Sequence, residues 1–268
     1  MRFLLTALIA LASLDASATL LHRWSFDSDG SDSIGGANAT LFNGASVNAG
    51  QLQLDGLNDY ANLPIDSTLS TLGSFTIETW ATYDSLTAWG RILDFGNGGR
   101  ASFPSTGNIY LTGSAEFQVG NPLSYGIFLM TPTSTSGPFE QMVAGTIPGP
   151  GQEVHYAITV DAESNMGSFY INGVRVVNQS YTLTPGDFVA NDANEQNWIG
   201  QSRWLQDDYM DGSVNELRIY NSVLSEGEVG ASYLAGPESV VPEPRTWALF
   251  VLGSAVVGGC ALRRRCIK

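Results

Sequence analysis

Cysteine and histidine are scarce in this chain of 268 residues. Both cysteines, Cys260 and Cys266, lie close to the C-terminus, which excludes a disulfide framework within residues 19–241. The two histidines, His22 and His155, each lie on a predicted strand without an acidic residue at a useful spacing, which argues against a metal cluster or a catalytic triad. We expect each histidine to be a solvent-facing or packed strand residue.

Positive charge is also scarce. Residues 19–241 carry six arginines and no lysine against 24 acidic residues. Such a surface repels nucleic acid and anionic lipid, so we expect no nucleic-acid partner. It attracts divalent cations and it also keeps a secreted protein soluble, and both interpretations stay open.

The N-terminus has the pattern of an export signal. A basic start at Arg2 precedes a mostly apolar stretch over residues 3–14 and a small-residue cleavage site at residues 16–18. This arrangement is typical of a secretory signal peptide and is too short for a spanning helix. We predict a signal peptide over residues 1–18 and a mature chain that begins at Thr19.

The C-terminus combines a proline-rich box, an apolar run and a basic end. The box is Pro242, Glu243 and Pro244 within a linker over residues 237–245, the apolar run covers residues 246–262, and the basic tail covers residues 263–268 with Arg263, Arg264 and Arg265. Proline favours an exposed, extended box. The apolar run would span ~25 Å as a helix, near the lower limit for crossing a bilayer, and the arginines should stay cytoplasmic.

This three-part tail resembles the PEP-CTERM sorting signal of Gram-negative bacteria. The resemblance implies an exosortase-type membrane protease that recognises the Pro-Glu-Pro box and removes the anchor. The protein would then be anchored transiently in the inner membrane and delivered to the cell surface or the extracellular space. A permanent C-terminal anchor is the alternative.

The sequence between the two ends is rich in strand signals. Alternation of apolar and polar residues predicts strands at residues 21–26, 51–54, 60–63, 75–83, 91–95, 126–130, 153–160 and 214–220. Two β-rich runs that flank Asn172-Gly173 predict a hairpin with a type I′ turn over residues 168–177. Ser225 and Glu228 form a capping box that predicts one short packing helix. Residues 132–151, rich in Thr, Ser, Gly and Pro, are expected to form a long surface loop.

Short strands separated by turns predict an all-β sandwich or jelly roll. The order of several segments resembles the LamG-like, concanavalin A-like jelly-roll family. These segments are residues 21–27 (LHRWSFD), 54–60 (LDGLNDY), 75–80 (FTIETW), 197–200 (NWIG) and 211–221 (DGSVNELRIYN). The resemblance implies one such domain over residues 19–236, and Asn215 departs from it where the family commonly has Asp.

Catalysis is not expected. A retaining glycosidase needs two carboxylates ~5 Å apart, and hydrolases of this fold commonly carry them on one strand face. Glu78 has Thr76 and Trp80 as same-face neighbours instead. Glu216 lies beside Arg218, which is more typical of a structural ion pair. A divergent glycan hydrolase remains the alternative.

The family resemblance also implies a structural calcium where the first strand ends and the last strand begins. Asp27 and Asp211 occupy these two places, and carboxylate oxygens are ligands that Ca²⁺ prefers. The alternative is that both residues shape ordinary turns, because Asp-Gly and Asp-Ser pairs favour them.

Aromatic and arginine residues in or near predicted loops are the candidates for a glycan site, since aromatic rings stack on sugar faces and Arg binds hydroxyls or acids. They are Trp89, Arg91, Arg203, Trp204 and Tyr209. In the alternative, Trp204 and Tyr209 hold the loop before the last strand in place. Trp24, Trp80 and Trp198 are predicted to lie in the core.

The sequence therefore predicts an exported binding or structural protein, directed toward polysaccharide in a biofilm-like matrix. The glycan part comes from analogy with the fold family. A protein-binding adhesion module is a further alternative, and it would show an exposed apolar patch.

Overall fold

The structure is a computed structural model, in which a unit that begins at Thr19 is separate from the two ends of the chain. The described residues are 18–240 without 97, 99, 102–107, 116–123, 130–142, 147, 183 and 188–195. Residues 1–17 of the predicted signal peptide, the proline box, the predicted membrane segment and the basic tail lie outside them. Among the described residues, no helix is long and apolar enough to span a membrane.

Fifteen strands and two α-helices are present in the described part of the chain. The strands are β1 (Leu20–Trp24), β2 (Thr40–Phe42), β3 (Ser46–Asn48), β4 (Gln51–Asp55), β5 (Tyr60–Asn62), β6 (Phe75–Ser85), β7 (Arg91–Gly96), β8 (Asn108–Ala115), β9 (Ser124–Leu129), β10 (Val143–Thr146), β11 (Glu153–Asp161), β12 (Met166–Ile171), β13 (Val174–Ser180), β14 (Trp198–Ile199) and β15 (Asp211–Tyr220). The helices are α1 (Asp66–Leu69) and α2 (Glu226–Ala235).

The strands form two antiparallel sheets that pack as a sandwich. Sheet A has the order β13-β12-β11-β6-β15-β4-β3, and β1 also pairs with β15. Sheet B has the order β10-β9-β8-β7-β14-β5-β2. Neighbours in each sheet are often far apart in sequence, as in β6 beside β15, so the fold depends on long-range pairing.

Alternation along each strand separates an inner face from an outer face. On β6, Phe75 and Ile77 contribute to the core between the sheets, whereas Glu78 and Trp80 lie on the outer face of sheet A. On β8, Ile109 and Leu111 contribute to the same core. The central strands are buried on both faces, and helix α2 covers part of the outer face of sheet A, where Ser232 bonds to Glu78.

Most local predictions are confirmed. The Asn172-Gly173 turn has φ of 49° and 75°, the left-handed values that a type I′ turn needs. Ser225 caps helix α2, and its side chain and that of Glu228 form the reciprocal hydrogen bonds of a capping box. The all-β sandwich with one short C-terminal packing helix is present.

The prediction of a long loop over residues 132–151 is wrong in one part. Strand β10 lies inside this range and pairs with β9 in sheet B. A four-residue strand leaves little signal in a segment rich in Gly, Pro and Thr. Its partner strand, not its own composition, determines that it is a strand.

Candidate functional site

The candidate site begins on the outer face of sheet B. Because Ile109 and Leu111 enter the core, Tyr110 lies on the opposite face of β8. Tyr110 pairs with Asp94 on β7, and Asp94 pairs with Trp198 on β14. A row of aromatic and acidic side chains therefore crosses three strands of sheet B.

A cleft of about 180 Å³ opens at one end of this row. We call it the aromatic cleft, and it is lined by Trp89, Arg91, Tyr110, Trp204 and Asp207. Trp89 and Trp204 are half-buried, so each indole presents part of its surface to the cleft. Three of the five residues predicted from the sequence as glycan-binding candidates therefore line one cleft.

Trp89 reaches the aromatic cleft through an unusual backbone conformation. Its φ of 58° lies in the left-handed region, which a bulky side chain rarely adopts. Its amide donates to the Ser114 carbonyl over 3.2 Å, which helps to hold this conformation. Backbone strain of this kind is concentrated at binding sites, where the surrounding structure maintains it.

Arg91 lies at the base of the aromatic cleft. Its guanidinium stands 3.7 Å from the Tyr110 ring centroid and 5.2 Å from that of Trp89. Its Nη2 donates to Asp207 Oδ2 over 2.8 Å. Nε and Nη1 have no hydrogen-bond partner among the described residues, and Nε is 3.9 Å from Asp94 Oδ2. The arginine is thus held in place without using its full donor capacity.

Asp207 is the carboxylate of the aromatic cleft. Burial raises the pKa of Asp207, although the positive charge of Arg91 opposes this shift. The Ser202 hydroxyl donates to the same carboxylate over 2.6 Å. Asp207 was not recognised in the sequence, because nothing near it indicates that it meets Arg91 on another element.

Arg100 holds the loop that carries Trp204 and Asp207. Its Nη2 donates to the carbonyl oxygens of these two residues over 3.1 and 3.2 Å. Its guanidinium also lies 4.6 Å from the Tyr209 ring centroid. Tyr209 therefore helps to fix the loop, as the alternative interpretation held, and does not line the cleft. Arg100 was also missed in the sequence, since it lies in a glycine-rich loop without a local pattern.

Arg203 is placed differently from the prediction. It is fully buried, and its Nη1 donates to Asp94 Oδ1 over 2.6 Å. Its guanidinium lies 4.8 Å from the Trp198 ring centroid, and burial lowers the pKa of Arg203. Arg203 does not line the aromatic cleft. Its buried contacts with Asp94 hold the loop that carries Trp204 and Asp207 onto sheet B.

The outer face of sheet A carries a buried charge network under helix α2. Glu78 Oε2 accepts from the Ser232 hydroxyl over 2.9 Å and from Tyr220 over 3.2 Å. Arg218 donates to Glu216 and to Ser232, which confirms the predicted ion pair. Burial, with the nearby charge of Glu78, raises the pKa of Tyr220 far above its ordinary value.

The expectation that the histidines have no acidic partner is wrong. His22 Nδ1 lies 2.6 Å from Asp32 Oδ2, and His155 Nε2 lies 3.3 Å from Glu78 Oε1. Both rings are buried. The partners lie on other segments of the chain, so no spacing along a single strand indicates them. Trp24, Trp80 and Trp198 are all buried, at 0%, 3% and 6% exposure. Only Trp24 belongs to the core between the sheets as predicted, whereas Trp80 and Trp198 lie on the outer faces of sheets A and B.

Strand pairing does not by itself bring the two calcium candidates together. β6 covers one edge of β15, and β4 and β1 share the other. On β4, the residue that pairs with Asp211 is therefore Asp55. The Asp211 carboxylate accepts a hydrogen bond from the Ser85 hydroxyl. The Asp27 carboxylate accepts one from the Ser25 hydroxyl. No group of three or more His, Cys, Asp or Glu side chains in the described part could hold a metal ion. A shared calcium stays a prediction. If it is bound, a chelator should lower the melting temperature of the wild type but not that of Asp211→Ala.

The described part is thus a two-layer β sandwich with an aromatic cleft on the outer face of sheet B. The family model described as the Concanavalin A-like lectin/glucanases superfamily matches residues 55–230. The chain belongs to this superfamily. No curated protein matches the chain.

Solved structures of low identity share the fold. Domain 4 of an extracellular arabinanase of Geobacillus stearothermophilus, in complex with arabinotriose, is 24% identical with a TM-score of 0.57, over 80% of this chain and 98% of that one. A Ruminococcus gnavus sialidase CBM40 module bound to sialyllactose is 19% identical with a TM-score of 0.52, over 68% and 94%. Trypanosoma rangeli sialidase is 17% identical with a TM-score of 0.52, over 81% and 33%.

Proposed function

We propose that this chain is an exported carbohydrate-binding protein of the cell surface or extracellular matrix. Its aromatic cleft would bind a ring of an exopolysaccharide without cleaving it. The observation that supports this proposal most is the arrangement of Trp89, Arg91 and Trp204 around one open cleft. The fold neighbours include modules in complex with arabinotriose and with sialyllactose, which supports sugar as the ligand class.

The chemistry of the aromatic cleft suits a sugar ring. Indole faces offer flat apolar surface for the C–H face of a pyranose, and a few placed polar groups then fix its orientation. Asp207 can accept from ring hydroxyls, and Arg91, which donates to Asp207, places positive charge at the base of the cleft. The cleft of about 180 Å³ is smaller than the ~300–1,000 Å³ of pockets for drug-sized ligands, so it suits one ring rather than a longer stretch of chain.

One observation favours the alternative of a glycan hydrolase. Asp207 combines a raised pKa with a place in an open cleft, as a general acid would. Hydrolysis also needs a second carboxylate of the protein that reaches the glycosidic bond of the substrate. Asp94 is fully buried and held by Arg203 and Asn108, so it is not accessible to a substrate. We therefore propose binding without hydrolysis.

A reducing-sugar assay separates binding from hydrolysis. We expect no sugar release from β-glucans or galactans by the wild-type protein. Release that Asp207→Asn abolishes would establish the hydrolase instead. The same variant tests binding, since it keeps the shape of the side chain but removes its negative charge.

A glycan array with the full-length protein tests the binding proposal. We expect Trp204→Ala to weaken binding by roughly tenfold or more, because one aromatic stacking contact is lost. Leu205→Ala is the matched control, since Leu205 lies in the same loop, is 54% exposed and does not line the aromatic cleft. Equal effects of the two substitutions, or binding that neither weakens, would contradict the proposal.

The route to the surface rests on the sequence. The predicted signal peptide and the order of proline box, apolar run and arginines support export followed by exosortase-type processing. The intact mass of the surface-exposed protein tests this part. We expect a C-terminus near Pro242 and loss of processing in Glu243→Ala, whereas a chain that still ends at Lys268 would establish a permanent anchor.

A further inference from the structure

A second cleft lies on the outer face of sheet A, on the other side of the sandwich from the aromatic cleft. Strands β11, β12 and β13 form its floor, and residues 223–226, which lead into helix α2, form one wall. Its volume is about 260 Å³. We call it the polar cleft. None of the glycan candidates predicted from the sequence lies in it.

Strand register places hydrogen-bonding side chains in a row across this floor. Thr159 of β11 pairs with Ser168 of β12, and Ser168 pairs with Asn178 of β13. Tyr170 follows Ser168 by two residues and therefore lies on the same face of β12. A hydroxyl, a second hydroxyl and an amide thus line up at the spacing of adjacent strands, about 4.8 Å.

Two of these residues are deeply buried and carry hydroxyl groups. Thr159 and Tyr170 are each 3% exposed, and both line the polar cleft. Buried polar side chains are normally hydrogen-bonded to protein or to ordered water. A sugar hydroxyl inside the cleft would take the place of such a water.

The charges around the polar cleft select against an anion. Asp161 and Glu226 both line it, and among the described residues Arg175 is its one cationic lining residue. Arg175 Nη2 lies 3.2 Å from Glu226 Oε2, so its charge is already balanced. Asp161 accepts from the Ser164 hydroxyl, and this bond first of all lowers the pKa of Asp161, so it is ionised at neutral pH. The ligand should then be neutral and rich in hydroxyls.

From this arrangement we infer that the polar cleft is a second binding site, for one ring of a neutral sugar. The cleft has several times the ~30 Å³ that one water molecule occupies, so a single ring fits within it. The inference goes beyond the proposed function, because it does not need the aromatic cleft to bind anything. Two sites on opposite sheets would let one domain hold two polysaccharide chains and cross-link them.

Saturation-transfer NMR with the full-length protein and a mixture of glucose, galactose, mannose and arabinose tests this inference. In a protein that also carries Trp89→Ala and Trp204→Ala, so that the aromatic cleft does not contribute, we expect a signal that the double substitution Thr159→Val and Tyr170→Phe weakens by roughly tenfold in affinity, since two hydrogen bonds are lost while side-chain shape is kept. Ser168→Ala, tested separately, should weaken it severalfold. We also expect glucuronic acid to bind more weakly than glucose.

Substitutions in the other cleft separate the two sites. The double substitution Trp89→Ala and Trp204→Ala should leave the signal from the polar cleft in place. If it removes the whole signal, or if the substitutions at Thr159, Tyr170 and Ser168 change nothing, the polar cleft is not a sugar site. Absence of any neutral-sugar signal in the wild type would also overturn the inference, whatever the aromatic cleft binds.

Discussion

Each outer face of the sandwich carries an arginine beside an aromatic ring and a carboxylate, but only one of the two groups is open to solvent. On sheet A, the Arg218 guanidinium lies 4.6 Å from the Trp80 ring centroid and pairs with Glu216. On sheet B, the Arg91 guanidinium lies 3.7 Å from the Tyr110 ring centroid and pairs with Asp207. Helix α2 covers the first group, whereas the second lines an open cleft.

The difference lies in how completely each arginine is hydrogen-bonded. Arg218 donates to Glu216, to the Ser232 hydroxyl and to the carbonyl oxygens of Pro237 and Ser239. Arg91 has one hydrogen bond to Asp207, and two of its nitrogens have no partner in the described part. A fully satisfied network such as that of Arg218 stabilises the protein more than a partly satisfied one such as that of Arg91.

The largest expected loss of stability comes from removing Arg218 from the buried charge network on sheet A. Arg218→Met leaves Glu78 buried without its arginine and Glu216 with Arg23 as its remaining cation, so we expect a loss of about 3–5 kcal/mol in the free energy of unfolding. Denaturant unfolding measures it. The control is Arg175→Met at the exposed pair with Glu226, which should change stability by less than about 1 kcal/mol. Similar losses in both variants would show that burial does not distinguish them.

A smaller effect is expected at Asp32, which lies away from both clefts. Its carboxylate accepts from the backbone amides of Arg23, Ile34 and Ala37 and contacts His22. We expect Asp32→Asn to cost about 1.5–3 kcal/mol, because hydrogen bonds to a charged acceptor are lost. Unfolding at neutral pH measures this cost, and a variant as stable as the wild type would contradict it.

The same carboxylate should make stability depend on pH. Burial alone would raise the pKa of Asp32, but the hydrogen bonds from the Arg23 amide and the His22 ring outweigh burial and lower it below its ordinary value of 3.8. Its stabilisation is therefore present above pH 3.8 and is lost as the pH falls through the lower pKa of the folded protein. Asp32→Asn should show a shallower loss of stability in acid than the wild type.

On sheet B, removing the arginine should affect sugar binding more than stability. Arg91→Met should abolish sugar binding in the aromatic cleft but cost only about 1–2 kcal/mol of stability. The cost is limited because Asp207 lines an open cleft and keeps its hydrogen bond from the Ser202 hydroxyl when its cation is removed. Calorimetric titration and unfolding on the same sample measure both quantities. A stability loss equal to that of Arg218→Met would contradict the comparison of the two faces.

The smallest effect is expected at the start of helix α2. Ser225→Ala removes the acceptor for the Glu228 amide and should cost about 1 kcal/mol. Because Ser225 also lines the polar cleft, neutral-sugar binding there should weaken slightly while binding in the aromatic cleft stays unchanged. Ser225→Asp, which restores a cap, should recover the stability, and failure to recover it would argue against capping as the cause.

Several features could be predicted because their causes are local. Alternation places Phe75 and Ile77 in the core, and the Asn172-Gly173 turn follows from the freedom of both residues at positive φ. The capping box of α2 needs two residues three positions apart. Strand β10 and the acidic partners of the two histidines could not be predicted, since each depends on a segment that is distant along the chain.

By itself, the sequence determined the all-β class, the hairpin, the helix and the aromatic and arginine residues from which a site could be built. The tertiary structure alone decided that Arg91 enters a cleft while Arg203 is fully buried against Asp94. It also decided that Thr159, Ser168 and Asn178 share one row. The physical reason is that sheet register and loop anchoring set which face a side chain meets, and both depend on pairing between residues far apart in sequence.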